Sequence, residues 1–284
     1  MRGAMGIRRT VIEFKPAYTA LVACQYPLDQ LRFSVATLRD RRDTSDPTDE
    51  PVPPARLRWR VQANATKSSY LERGGAHAQT IQDLCKTSAR DFSSFTDILD
   101  FGSGCGRVIQ NFRGRPDPCN LYATDIDPDL VSWGKDNLPG IQWSVNGHKP
   151  PLPFGANSFD LIYGISVFSH LDEDFQHLWL RELQRVARPG ATIILSVQGE
   201  YDMRWLRKDR SYSDEVDERG FLFITLATGK LKPDGFPDFY QTAYHTKRYV
   251  YDVWSAYFDI VDYVERGIND HQDAVVLRKP LDPS

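Results

Sequence analysis

The stretch from Ile98 to Arg107 reads Ile-Leu-Asp-Phe-Gly-Ser-Gly-Cys-Gly-Arg and constrains the fold more than any other part of the chain. It predicts an apolar strand followed by a tight turn with glycines at 102, 104 and 106. Glycine adopts positive φ and has no side chain, so this turn lets the backbone come close to a ligand. Open α/β sheets bind ligands at the carboxyl ends of their strands. The stretch therefore predicts an α/β fold with a ligand site at one sheet edge.

Strands and helices alternate through the middle of the chain. The predicted strands are Thr96–Phe101, Asn120–Asp125, Ile141–Val145, Phe159–Ser166 and Ala191–Val197. Residues 107–112 are predicted to open the first crossover helix, and a second helix starts with Asp127 as N-cap and Pro128 in its first turn. A third helix is predicted over residues 172–187. This alternation indicates a parallel, doubly wound sheet.

The end of the chain breaks the alternation. Two strand-like runs, Phe258–Arg266 and Gln272–Lys279, are joined by only Gly-Ile-Asn-Asp-His. So short a connection has no room for a crossover helix, and the two strands must therefore be antiparallel. The sequence thus predicts a mostly parallel seven-stranded sheet that ends in an antiparallel hairpin.

Two segments lie outside this pattern. Residues 1–55 are predicted to be an N-terminal extension, with short helices over 17–23 and 31–38 and a charged, proline-rich loop over 39–54. This extension is either an appendage or a lid over the site. Residues 56–284 form the predicted domain, which begins with a helical region interrupted at Tyr70–Gly75. Within it, residues 200–245 hold nine aromatic residues, which suits either a substrate cover or a structural flap.

Composition excludes several classes of function. The chain of 284 residues has a formal net charge of −3, and its basic N-terminal 60 residues reach only +4, so no nucleic-acid partner is expected. No apolar run approaches the roughly 18 residues that a membrane helix needs. The four cysteines lack disulfide or zinc spacing, which favours a reducing, cytoplasmic compartment. No resident metal is expected, and a homodimer or larger homo-oligomer stays open.

The glycine spacing separates two kinds of ligand. Dinucleotide-binding turns use G-x-G-x-x-G, whereas this turn reads G-x-G-x-G with Arg107 in the place of the third glycine. Together with Asp100, the turn resembles motif I of class I S-adenosylmethionine-dependent methyltransferases. Residues 56–280 are similar to bacterial members that are often encoded with glycan and secondary-metabolite biosynthesis. The resemblance implies a Rossmann-like fold, S-adenosylmethionine as methyl donor and S-adenosylhomocysteine as product.

The resemblance also implies cofactor contacts at matching positions. Asp100 and the glycine turn would hold the methionine portion, Asp125 the ribose hydroxyls, Ile126 the adenine face and Asn146 the adenine amino group. Asn146 departs from the aspartate usual in the family, although its amide oxygen can also accept a hydrogen bond. The predicted cofactor residues are Asp100, Gly102, Ser103, Gly104, Arg107, Asp125, Ile126, Asn146, Ile165 and Ser166.

Three histidines are candidates for acceptor chemistry. His170 follows the fourth strand in a Ser-His-Leu segment that resembles the family, and it is either a general base or an ordering residue. His245 lies where the aromatic insertion ends, and it either reaches substrate or caps the following helix. His271 lies in the final hairpin turn, which approaches the cleft in related proteins. The acidic residues of that turn could instead suit Mg²⁺, but no second acidic cluster supports a metal.

These observations predict an enzyme that methylates a small molecule, with a hydroxyl of a sugar, glycolipid or natural product favoured as acceptor. The alternatives are an N-methyltransferase and a protein that binds S-adenosylmethionine without methyl transfer. An NAD-linked oxidoreductase fits the glycine spacing less well. A base-methylating enzyme would carry an Asp/Asn-Pro-Pro-Tyr signature after the fourth strand, where Gly164 and Ile165 stand instead.

Overall fold

The computed structural model of the chain describes residues 31, 33–40, 50–204, 210–225, 237 and 239–281. Its strands are Asp97–Phe101 (β1), Asn120–Asp125 (β2), Ile141–Val145 (β3), Phe159–Gly164 (β4), Ala187–Val197 (β5), Phe221–Ile224 (β6), Thr242–His245 (β7), Asp259–Ile268 (β8) and Gln272–Arg278 (β9). Its helices are residues 33–40 (α1), Ala55–Gln62 (α2), Lys67–Thr87 (α3), Pro128–Asn137 (α4), Glu173–Val186 (α5), Glu200–Met203 (α6), Arg210–Arg219 (α7) and Lys247–Tyr249 (α8).

Seven strands form the central sheet in the order β3-β2-β1-β4-β5-β9-β8. The first five strands are parallel, and β9 runs antiparallel to both β5 and β8. The predicted mostly parallel sheet with an antiparallel finish is confirmed. The carboxyl ends of β1, β2 and β4 consequently lie side by side at one edge, which is where the predicted ligand site falls.

Apolar side chains cover both faces of this sheet. On β4, Leu161 belongs to the same buried cluster as Ile81 of α3, whereas its neighbour Ile162 clusters with Leu183 of α5. Successive residues of a strand point to opposite faces, so β4 is apolar throughout because helices cover both sides. This packing makes the strand ends a rigid platform.

The first crossover differs from the prediction. No α-helix connects β1 to β2; instead, a 3-10 turn spans Ile109–Phe112. The prediction of a helix opening at residue 107 was therefore wrong. Gly114, which has φ +67°, follows this turn, and prolines at 116 and 118 lead into β2. Proline lacks the N–H that a helix interior needs, so the connection is too broken for a helix.

The helical region before β1 is interrupted at another place than predicted. Ala63, in the left-handed region at φ +52°, ends α2, whereas α3 runs unbroken through Gly74 and Gly75. A Cβ on Gly74 would lie only 2.3 Å from the carbonyl oxygen of Arg107. Gly74 therefore lets α3 pack directly on the glycine turn, and the two glycines do not break the helix.

The N-terminal extension is described only in part. The helix predicted over 31–38 corresponds to α1, whereas the predicted helix over 17–23 and most of the proline-rich loop lie outside the described residues. Arg58 on α2 is buried, donates from Nε to the carbonyl of Ala65 at 2.7 Å and pairs with Asp40 of α1. Residues 33–40 are thereby anchored to α2.

The aromatic insertion contains α6, α7 and the antiparallel pair of β6 and β7. This pair forms a separate two-stranded sheet that contacts the end of β5 through a bridge between Gln198 and Tyr244. Its residues 205–209, 226–236 and 238 lie outside the described part of the chain. None of the described helices has both the length and the apolar character required to cross a membrane.

Candidate functional site

The glycine turn has the conformation that its sequence predicts. The glycines at 102, 104 and 106 have φ of +76°, +57° and +81°. The N–H groups of Gly102 and Ser103 each donate to the carbonyl of Thr124 at 2.9 Å, which ties the turn to the end of β2. A Cβ on Gly102 would lie 2.3 Å from Cγ2 of Val167. Any side chain at position 102 would therefore collide with Val167, and the turn requires glycine there.

A cavity lies over this turn at the carboxyl ends of β1, β2 and β4, and we call it the cofactor cavity. All ten residues predicted as cofactor contacts line it: Asp100, Gly102, Ser103, Gly104, Arg107, Asp125, Ile126, Asn146, Ile165 and Ser166. The structure thus brings together positions that are up to 66 residues apart in sequence.

Asp125, at the end of β2, has both carboxylate oxygens oriented by backbone donors. Gly104 N–H donates to Oδ2 at 2.8 Å, and Asp127 N–H donates to Oδ1 at 2.9 Å. Burial raises the pKa of Asp125 to about 6, against the effect of these two hydrogen bonds. Each carboxylate oxygen can accept more than one hydrogen bond, so this geometry suits the two hydroxyls of a ribose.

Asn146 follows β3 and lines the cofactor cavity. Its N–H donates to the carbonyl of Asp125 at 3.0 Å, and its Nδ2 donates to the carbonyl of Gly147 at 2.9 Å. Its buried Oδ1 has no hydrogen-bond partner among the described residues. A buried acceptor without a donor is costly unless a ligand supplies the donor. An adenine amino group fits this requirement.

Asp100 is the second buried carboxylate of the cavity. Burial raises its pKa to about 7, although the Tyr163 hydroxyl and the Arg107 guanidinium oppose this shift. Its Oδ2 has no partner in the described structure. A cationic ligand near Asp100 would favour the ionised carboxylate. With Asp125 and Asn146, this set of acceptor oxygens fits S-adenosylmethionine, whose ribose hydroxyls and adenine amino group donate hydrogen bonds and whose sulfonium is positively charged.

Helix α2 covers the glycine turn, which the sequence did not predict. A Cβ on Gly104 would lie 2.8 Å from Cγ2 of Val61, so α2 packs against the turn itself. Arg60, one residue earlier, forms ion pairs with Asp127 and, at 3.2 Å, with Asp129 at the start of α4. Arg60 and Val61 both line the cofactor cavity. The only sequence signal was an arginine in a helix preceding the turn, and arginine is common on solvated helix faces.

A second cavity adjoins the first, and we call it the acceptor cavity. Five residues line both cavities: Arg60, Val61, Arg107, Ser166 and Tyr240. The acceptor cavity is further lined by Arg73 and His77 of α3 and by the loop between β8 and β9. The two cavities thus share a boundary.

His170 lines the acceptor cavity in a fixed orientation. Its Nδ1 lies 2.6 Å from the carbonyl oxygen of Gln241, and its ring stacks on Tyr240 with centroids 4.2 Å apart. A carbonyl oxygen only accepts, so Nδ1 carries the hydrogen of this contact, and in the neutral form of the ring the lone pair is then on Nε2. The insertion therefore sets the tautomer and position of His170. Tyr240 was recognisable only as one aromatic residue among nine.

His245 lies elsewhere. It is completely buried, its Nε2 is 3.0 Å from Oε1 of Gln176, and its ring contacts Phe221 and Trp254 edge-on. Burial lowers its pKa to about 3. His245 is not among the described residues that line the two cavities. The structure thus gives it a packing position between the insertion and α5, which differs from the predicted catalytic position.

His271 lines the acceptor cavity from the hairpin turn between β8 and β9. It is largely exposed, and its Nδ1 lies 2.8 Å from Oδ1 of Asp202. Nearby, Ser166 has a left-handed φ of +59°, and its hydroxyl donates to Oε1 of Gln272 at 3.0 Å. Strained backbone of this kind is common at functional sites. The hairpin and the end of β4 therefore meet at the cavity boundary.

The acidic residues of the hairpin turn have protein partners. Asp273 is buried and accepts from the Tyr263 hydroxyl at 2.6 Å and from Arg266 N–H at 2.7 Å. Asp270 pairs with Arg266. Among the described residues, no three His, Cys, Asp or Glu side chains are grouped so as to hold a metal ion. These contacts give the acidic residues a structural role in the hairpin.

Sequence comparison is consistent with this geometry. A family described as "Methyltransferase domain" matches residues 99–195. The malonyl-(acyl-carrier protein) O-methyltransferase of Hahella chejuensis is 30% identical over 103 residues, which are 35% of the chain and 36% of that protein. O-methyltransferase 3 of Dictyostelium discoideum is 25% identical over 150 residues, or 50% of the chain and 33% of that protein. The chain therefore matches about a third of the length of these curated relatives.

Structural comparison supports the same fold. The crystal structure of an S-adenosylmethionine-dependent methyltransferase from Clostridium acetobutylicum superposes with a TM-score of 0.51 and 12% identity, covering 74% of the chain and 92% of that protein. At this identity the likeness shows the fold alone. The family match and the fold together support S-adenosylmethionine as the cofactor. Residues 99–195 of the chain therefore match a methyltransferase domain, and the chain shares the fold of that S-adenosylmethionine-dependent methyltransferase.

Proposed function

We propose that the protein is an S-adenosylmethionine-dependent methyltransferase that methylates a hydroxyl group of a small-molecule acceptor. The junction of the two cavities is the observation that carries this proposal. The predicted cofactor contacts line one cavity, His170 lines the other, and Arg107, Ser166 and Tyr240 are among the residues common to both. A cofactor over the glycine turn would therefore face an acceptor beside His170.

When bound, S-adenosylmethionine supplies a methyl group on a sulfonium that an acceptor oxygen can displace in line. The protein must align the two molecules and exclude water. Val61 on one side and Tyr240 on the other enclose the boundary between the cavities. His170 accepts the hydroxyl proton at Nε2, since its Nδ1–H is held by the carbonyl of Gln241. After product release, this proton passes to water.

The other two histidines have different roles in this proposal. His271 contacts the acceptor from the hairpin turn, and Asp202 orients its ring. His245 has no catalytic part, because it is fully enclosed by packing contacts.

Residues 56–284 act as the methyltransferase domain, with 200–245 as the substrate cover and 1–55 as an extension. Phe239 and Tyr240 support the role of the cover, since both line the cofactor cavity.

A hydroxyl acceptor is preferred over an amine for two reasons. The two curated relatives are both named as O-methyltransferases. In addition, an alcohol requires a base at the transition state and a neutral amine does not, so the oriented Nε2 of His170 is useful only for the alcohol. The aromatic rings of the cover would stack on the C–H faces of a sugar or on an apolar natural product.

Labelled S-adenosylmethionine and matched acceptors that carry a hydroxyl, an amine or neither group would test this proposal. We expect label on hydroxyl acceptors and a loss of about 100-fold or more in kcat for His170→Gln. His177→Gln is the matched control, because His177 contacts Tyr257 on the far side of α5. Label on amines alone would instead establish an N-methyltransferase. Cofactor binding without transfer to any acceptor would identify a binding protein.

A further inference from the structure

The acceptor cavity has an unusual charge. Its described lining contains three arginines and three histidines, at positions 60, 73, 77, 107, 170 and 271, and no Asp or Glu. Arg60 is neutralised by its ion pairs with Asp127 and Asp129. Neither Arg73 nor Arg107 forms a direct ion pair among the described residues, and the buried carboxyl of Asp100 acts on Arg107 only at longer range. The protein as a whole is slightly acidic, with a net charge of −3, so this local positive charge is specific to the cavity.

Arg107 occupies an environment that a guanidinium normally avoids. Arg107 is only 8% exposed, and its buried Nε and Nη1 have no hydrogen-bond partner among the described residues. Burying a charge without hydrogen-bond partners is unfavourable, so such groups are usually paired or bind a ligand. Arg107 faces both cavities. An anion at their boundary would supply the missing acceptors.

His77 of α3 also lines the acceptor cavity and supports this interpretation. It is buried, and neither of its ring nitrogens has a described hydrogen-bond partner. Burial, Arg107 and Arg73, in that order, lower its pKa to about 3. His77 is therefore neutral and experiences the positive potential of both arginines. A neutral imidazole can donate one hydrogen bond to an oxygen that the arginines also bind.

We propose that the acceptor cavity binds an anionic, oxygen-rich group of the acceptor, a carboxylate or a phosphate, between Arg73, His77 and Arg107. This inference rests on the proposed function, because it names the class of acceptor for the same site. Arg107 provides donors deep in the cavity, and Arg73 extends the positive charge toward its mouth. Charge-assisted hydrogen bonds from arginine orient planar carboxylates and phosphates well. The anion then fixes the orientation of the acceptor relative to His170.

Anion binding can be measured without methyl transfer. The full chain, saturated with S-adenosylhomocysteine, is titrated with inorganic phosphate or acetate against chloride at constant ionic strength, and the melting temperature is followed. We expect phosphate or acetate to stabilise the complex more than chloride does. Arg73→Gln should weaken this binding about ten-fold or more, and Arg107→Gln should abolish it. Saturation with S-adenosylhomocysteine ensures that any effect arises outside the methionine-binding position.

The matched control is Lys135→Gln, which removes one positive charge from the exposed surface of α4. Equal responses of Lys135→Gln and Arg73→Gln, or no preference over chloride, would overturn the inference. Failure to bind S-adenosylhomocysteine would overturn the proposed function. The anion titration of the cofactor-free protein would then still decide this inference through Arg73→Gln, because Arg73 lines the acceptor cavity and not the cofactor cavity. Acceptors that differ only in a carboxylate, a phosphate or a neutral amide then identify the anionic group; equal turnover of all three would contradict it.

Discussion

The guanidinium of Arg60 on α2 forms an ion pair with the carboxylate of Asp127, which is also the N-cap residue of α4. The Arg60 side chain is 8% exposed and that of Asp127 is 9% exposed, so water screens the pair only weakly. The pair joins two helices that lie on either side of the glycine turn. It holds Val61 against Gly104 and thereby closes one wall of the cofactor cavity.

Loss of this ion pair should weaken cofactor binding. We expect Arg60→Gln to lower the affinity for S-adenosylhomocysteine by about ten-fold, mainly through faster dissociation, because α2 would then open more readily. Asp127→Asn keeps a good N-cap residue, so it tests the pair with little effect on α4. In a double-mutant cycle, the two substitutions should couple by about 1 kcal/mol or more. Strictly additive losses of affinity would show that this ion pair does not hold α2 against the glycine turn.

The two adjacent glycines of α3 should respond oppositely to alanine. A Cβ on Gly74 would lie 2.3 Å from the carbonyl oxygen of Arg107, whereas the nearest atom to a Cβ on Gly75 is 3.8 Å away. Gly74→Ala should therefore lower the free energy of unfolding by about 2 kcal/mol or more. Gly75→Ala should be neutral or stabilising by about 0.5–1 kcal/mol, since alanine favours a helix. Chemical denaturation measures both, and equal effects would refute the close contact of α3 with the turn.

The buried carboxyl of Asp100 predicts a pH dependence of stability. Its pKa is raised from 3.8 to about 7 by burial, so between these values the folded cofactor-free protein binds more protons than the unfolded chain. The contribution of Asp100 to the free energy of unfolding must then fall as pH rises from about 4 to 7. Asp100→Asn removes this dependence. The free energy of unfolding of Asp100→Asn, relative to that of the original protein, should rise across that interval. A difference that stays constant with pH would contradict the raised pKa of Asp100.

Tyr240 should affect acceptor binding through its stacking on His170. Tyr240→Leu removes the stacked ring, so we expect a higher KM for the acceptor and a lower kcat as His170 loses its fixed orientation. Tyr240→Phe keeps the ring and loses only the hydroxyl, which lies 3.3 Å from the carbonyl oxygen of Ser166. Steady-state kinetics with both variants separates the effects. An equal loss of activity in the two variants would indicate that the Tyr240 hydroxyl, and not the stacking of its ring, is required.

Local sequence signals predicted the central sheet, and the ten residues proposed as cofactor contacts line one cavity. The glycine turn, the carboxylate at 125 and the short final connection each act through a backbone rule that depends on few neighbours. Positive φ at Gly102, hydrogen bonds to Asp125 and the antiparallel pairing of β9 all follow from such rules. The ten predicted contacts line one cavity for the same reason, because the ends of parallel strands meet at one edge.

The other features depend on packing between distant segments. Arg60 pairs with a residue 67 positions away, and Gly74 is required only because Arg107 lies against it. The burial of His245 follows from how the insertion packs on α5, which no local pattern encodes. The first crossover is the exception, because its missing α-helix is explained by Gly114 and the prolines at 116 and 118, which the sequence itself shows.

A calorimetric titration of S-adenosylhomocysteine into the full chain tests the cofactor site most directly. We predict one binding site per chain, no heat of binding from NAD, and about 100-fold weaker binding for Asp125→Ala, which removes both predicted ribose contacts. Asp136→Ala, an exposed carboxylate on α4, should bind like the original protein. Unchanged affinity in Asp125→Ala, or binding of NAD in preference to S-adenosylhomocysteine, would contradict the assignment of this cavity.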